Sequence, residues 1–83
     1  MSRVTVLYFA AVADTVGRNE EVIALDTETP TVGGLLELLV ARHPALSPRL
    51  GYLRVARNEA FATATEPLAD GDVVALLPPL AGG

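Results

Sequence analysis

A chain of 83 residues with 51% apolar and 19% charged content has the composition of one globular domain, not of a disordered or fibrous polypeptide. It contains no cysteine and only one histidine, His43, which excludes disulfides, thiolate metal sites, thiol nucleophiles and a His-rich metal centre. The net charge is −4 and the six cations are all scattered arginines, so the clustered basic footprint that nucleic-acid binding requires is missing.

Along the chain, Arg3-Val4-Thr5-Val6-Leu7-Tyr8-Phe9 is rich in β-branched and aromatic residues and reads as a strand with Val4, Val6 and Tyr8 on one face. The apolar run from Val4 to Ala13 superficially resembles a signal peptide. Thr5 and Tyr8 interrupt it, however, and no stretch approaches the ~20 apolar residues of a membrane span. A cytoplasmic protein without membrane contact is expected. Ala10 to Val16 can form two turns of helix closed by Gly17, and Glu21 to Leu25 reads as a second strand.

The clearest helix follows. Thr31 is a suitable N-cap, Val32, Leu35, Leu36, Leu39 and Val40 recur at helical spacing, and Pro44 stops the helix near His43. Gly33 and Gly34 in its first turn either weaken the helix or admit a close neighbour. Residues 45–53 read as irregular with one helical turn. Val55 to Arg57 and Phe61 to Thr63 are short strands around an Asn58-Glu59 turn. Asp70-Gly71 turns the chain into a last strand, Asp72 to Leu77. One substantial helix and four to five strands predict an α+β fold in two layers, a mixed sheet with the helix across one face. This is the β-grasp, or ubiquitin-like, arrangement, with the domain over residues 1–77 and a tail over 78–83.

A helix of that length covers one sheet face only. In the first strand Leu7 and Phe9 oppose the Val4 set, and in the last strand Val73, Ala75 and Leu77 alternate with Val74 and Leu76, so apolar residues must face outwards. With first and last strands adjacent, Leu7, Phe9 and Leu77 are expected to form a partner surface, unless sheet curl or the 45–53 segment covers them. Beyond them Pro78 and Pro79 end ladder pairing and favour an extended segment. Leu80 offers one apolar anchor, Ala81 is small, and Gly82-Gly83 can pass through a slot too narrow for side chains. Such a slot would deliver a terminal carboxylate to an enzyme that activates it with ATP. The absence of lysine has two readings, a genome that favours Arg or avoidance of nucleophilic amines beside an activated acyl group.

Four segments, Leu7-Tyr8-Phe9-Ala10-Ala11-Val12 before Gly17, Val55-Ala56-Arg57-Asn58, Leu68-Ala69-Asp70-Gly71-Asp72-Val73-Val74-Ala75 and Leu77-Pro78-Pro79-Leu80-Ala81-Gly82-Gly83, closely resemble the small subunits of molybdopterin synthases, which are ubiquitin-like sulfur carriers. The resemblance implies that an adenylating enzyme activates Gly83 with ATP and that a sulfur-donor protein converts the adenylate to a thiocarboxylate. The tail would then enter the large synthase subunit, commonly in a heterotetramer, and deliver sulfur to cyclic pyranopterin monophosphate. It implies no bound cofactor, and catalytic groups other than the tail on the large subunit. Phe9 and Leu77 match the family's partner-contacting positions. Arg57 departs from the family pattern, where an apolar or small residue is usual, and is expected to affect fit to the partner. Carriers for thiamine, cysteine or tRNA thiolation, a ubiquitin-like protein modifier, and a binding module with an incidental tail are the alternatives.

Overall fold

The computed structural model describes Ser2 to Pro79. Five strands, β1 (Ser2–Tyr8), β2 (Glu20–Leu25), β3 (Arg54–Arg57), β4 (Ala60–Phe61) and β5 (Val73–Leu77), form one sheet in the order β2-β1-β5-β3-β4. β1 and β5 run parallel at the centre and all other neighbours are antiparallel. Two helices, α1 (Ala11–Val16) and α2 (Val32–Arg42), and a 3-10 helix (Pro44–Tyr52) complete the β-grasp. Alternation along the strands turns Val4, Val6, Tyr8, Ile23, Leu25, Val74 and Leu76 inwards. There they form one core with Val12 of α1, Val32, Leu35 and Leu39 of α2, and Leu46 of the 3-10 helix.

Local chemistry sets the element ends. α1 stops at Gly17, whose φ of 86° costs glycine nothing and whose N–H donates to the Ala13 carbonyl. The first N–H groups of α2 are all satisfied. Gly34 donates to Thr31 Oγ1 at 3.1 Å, Val32 to the Glu66 carbonyl at 3.0 Å and Gly33 to the Ala64 carbonyl at 2.8 Å. This answers the question of Gly33: a Cβ there would sit 3.1 Å from the Ala64 oxygen, so glycine lets the 64–66 segment lie against the helix.

Between Arg57 and Ala60 the chain turns through Asn58 (φ 48°) and Glu59 (φ 74°), a two-residue hairpin connection of the kind that follows strand twist. The strand expected over Phe61 to Thr63 is shorter and earlier, Ala60–Phe61, with Ala62 donating its N–H to the Val55 carbonyl before the chain leaves the sheet. The 45–53 segment is more regular than expected. Pro44 and Pro48 fit a tight 3-10 helix, and Leu46 is fully buried as it packs against the helices. It therefore lies on the helix-covered side and does not shield the other face of the sheet. Among the described residues no helix is long and apolar enough to cross a membrane.

Candidate functional site

The sheet face away from α2 carries a continuous apolar row. Leu7 of β1 pairs with Ala75 of β5, Ala75 with Ala56 of β3, and Ala56 with Phe61 of β4. A second row, Val22-Thr5-Val73, runs beside it. Leu77 closes β5 opposite Arg54, and Phe9, one step beyond β1, ties itself to the same end by donating its N–H to the Leu76 carbonyl at 3.2 Å. The chain then turns through Ala10 at φ 50° into α1, which leaves Phe9 at the rim. Phe61 is 69% exposed, Val22 60% and Phe9 44%, while Leu7, Ala75 and Leu77 are half-buried by their neighbours in the rows. Scattered exposed apolar residues are ordinary. A contiguous row across four of the five strands of an acidic domain is not.

Leu7, Phe9 and Leu77 thus gather at one end of the outer face. Pro78 is half-buried and Pro79 exposed where the chain leaves that end, and Leu80, Ala81, Gly82 and Gly83 lie outside the described residues. Sequence reasoning did not single out Phe61, Val22 or Arg54. Alternation could have found Val22, since Ile23 and Leu25 claim the other face. Phe61 needed the exact length of the Asn58-Glu59 turn.

Two polar clusters brace this platform. Glu21 faces inwards at the end of β2 and is nearly buried. Its Oε1 accepts from the Tyr8 hydroxyl and from His43 Nε2, both at 2.8 Å, while Arg18 and Arg42 lie 3.6 Å from Oε2. Burial opposes ionisation of Glu21, but the His43 and Tyr8 hydrogen bonds and the surrounding positive charge outweigh it and hold the carboxyl below its ordinary value. Tyr8 is pushed upwards, first by burial and then by its bond to Glu21. An ionised carboxylate only accepts, so His43 Nε2 carries the proton.

At the other end of the sheet, Asp72 accepts from the Ala69 N–H and Arg57 Nε at 2.8 Å and from Asn58 Nδ2 at 2.9 Å. The Ala69 bond leads these contacts in holding its carboxyl at about 2. Asn58 Oδ1 in turn accepts the Val73 N–H at 2.9 Å, so the β3–β4 turn is locked to the start of β5. Arg57, expected to bear on partner fit, pairs with Val74 and reaches Asp72 on the helix-covered side. It braces the hairpin and does not touch the outer face.

The ThiS family model matches residues 6–83. The chain belongs to the ThiS family. A molybdopterin synthase sulfur carrier subunit of Escherichia coli is 38% identical, with 96% of this chain and 99% of the relative covered. Small archaeal modifier protein 1 of Haloferax volcanii is 36% identical, covering 90% of this chain and 94% of the relative. The crystal structure of SAMP1 from Haloferax volcanii superposes with a TM-score of 0.88 at 33% identity, covering 99% of this chain and 100% of that one. A chain from the complex of subunits 1 and 2 of the Helicobacter pylori molybdopterin-converting factor does so at 0.69 and 27% identity, covering 98% and 99%. The ubiquitin-like fold read from element order is therefore also that of the relatives, and these include sulfur carriers.

Proposed function

We propose that this chain is the sulfur-carrier subunit of a molybdopterin synthase, with a 1–77 domain that docks and a 78–83 tail that reacts. The observation that carries the reading is the apolar outer face ending at Leu7, Phe9 and Leu77, from which the Pro78-Pro79 segment departs. Six residues from Pro78 reach at most ~20 Å, enough to thread Gly82-Gly83 into a partner's active site while the face stays docked. The Escherichia coli relative, named a molybdopterin synthase sulfur carrier subunit, and the two-subunit Helicobacter pylori complex support the same assignment.

In this reading the Gly83 carboxylate oxygen attacks the α-phosphorus of ATP on an adenylating enzyme and pyrophosphate leaves. Sulfur delivered at the sulfide level by a donor protein attacks the Gly83 acyl carbon and AMP leaves, which gives the thiocarboxylate. On the large subunit that sulfur bonds to cyclic pyranopterin monophosphate, water cleaves the acyl–sulfur bond, and the tail returns as a carboxylate. The carrier binds no cofactor of its own, ATP belongs to the activating enzyme, and the cytoplasm is where these partners would meet it. Leu80 and Ala81 would seat the tail, and the glycines would let the acyl group enter a site closed to water.

The test is intact mass after incubation with ATP, the host's adenylating enzyme and a sulfur donor. Exchange of one oxygen for sulfur is expected, and it should vanish on deletion of Gly82-Gly83 with the melting temperature nearly unchanged. An unaltered mass with competent enzymes would refute the carrier chemistry. The likeness to small archaeal modifier protein 1 supports a second reading, conjugation of Gly83 to amines of other proteins. Amide-linked conjugates in cell lysate that disappear without Gly83 would favour it.

A further inference from the structure

Arg54 is the arginine that faces the partner side at the root of the tail. It opens β3 directly opposite Leu77, is exposed, and shares the outer face with Ala56 and Phe61. Its guanidinium carbon sits 5.4 Å from the centre of the Phe61 ring, a stacking that restrains the long side chain before any partner arrives. The ion pairs among the described residues join Arg18, Arg42 and His43 to Glu21, and Arg57 to Asp72, so Arg54 has no carboxylate within 4.0 Å there. The other arginine of this face, Arg3, lies at the opposite end of β1, where it pairs with Ala24.

We infer that Arg54 is a specificity-determining contact, taking a carboxylate of the large synthase subunit; this rests on the function proposed above. A partner that covers Leu77 and Phe61 must also cover Arg54. Dehydrating a guanidinium without a counter-charge is strongly unfavourable, so a fitting partner has to bring an acceptor to that spot. The planar fork matches a carboxylate in two parallel hydrogen bonds, which fixes orientation as well as proximity. An apolar row alone would let the partner slide or rotate. One charge pair beside Leu77 sets the rotation and thereby the direction in which Pro78-Pro79 leads the tail. A partner presenting a cation or a bare apolar surface there is rejected.

The experiment compares the intact chain with Arg54→Met, which keeps length and apolar contact, and Arg54→Lys, in binding to the large synthase subunit of the same host. Affinities are read at about 50 and about 500 mM salt, and each variant's melting temperature is checked against the parent. Arg54→Met should bind about tenfold or more weakly at low salt, with the salt dependence of the parent largely lost, and Arg54→Lys should fall between them. Arg54→Met binding as tightly as the parent, with the same salt dependence, would overturn the inference while leaving the functional reading intact. A parent chain that does not bind the large subunit would overturn both.

Discussion

Replacing Asp72 with asparagine should destabilise the domain and remove part of its acid sensitivity. Asp72 accepts three hydrogen bonds, from the Ala69 N–H, Arg57 Nε and Asn58 Nδ2, and its carboxyl is held at about 2 against an ordinary 3.8. That gap corresponds to roughly 2.4 kcal/mol of stability at neutral pH, and solvent screening of the partly exposed Arg57 brings it to about 1–2 kcal/mol. Because the folded value lies below the unfolded one, the contribution is fully present above about pH 5 and is lost as pH falls towards about 2.

Urea unfolding of parent and Asp72→Asn at neutral pH and at about pH 3 measures both effects. The variant should be less stable by about 1–2 kcal/mol at neutral pH, a Tm lowered by about 5–15 °C, with a clearly smaller deficit at about pH 3. Since Asp72 locks the hairpin that carries Phe61 and Arg54, partner affinity should fall with it. A deficit equal at the two pH values would refute the assignment of this carboxylate as the ionised brace of the hairpin.

Phe9→Asp and Leu77→Asp should each weaken large-subunit binding by about 2 kcal/mol or more with little change in Tm, and unchanged affinity by calorimetry would remove these residues from the interface. Glu21→Leu leaves the buried Tyr8 hydroxyl and His43 Nε2 without their acceptor, so it should cost about 2–4 kcal/mol in chemical denaturation; a neutral result would show that the cluster is dispensable. Glu59→Gly relieves a side chain held at φ 74° and should raise stability by about 0.5–1 kcal/mol, whereas destabilisation would argue for a different turn geometry in solution.

Much of the fold was legible because its signals are local. The Thr31 cap, the Gly17 and Asp70-Gly71 turns, the helical spacing from Val32 to Val40 and the strand alternation from Val4 to Tyr8 need only neighbours in sequence. The central β1–β5 pairing followed from the element order, and with it the grouping of Leu7, Phe9 and Leu77. The extent of the Pro44–Tyr52 helix was not legible, because two prolines obscure a 3-10 helix whose stability comes from burying Leu46.

Nothing in the sequence marks Glu21 as more than a strand residue. Its burial depends on Tyr8, His43 and Arg42, which converge on it only when β1, β2 and the end of α2 assemble. The two arginines of β3 make the same point. Alternation states that Arg54 and Arg57 occupy opposite faces but not which face is which. Period-two alternation sorts the side chains of each strand into two sets. Packing in three dimensions settles which set meets α2 and which stays on the outer face, because a strand's two faces are equivalent until a helix packs on one of them.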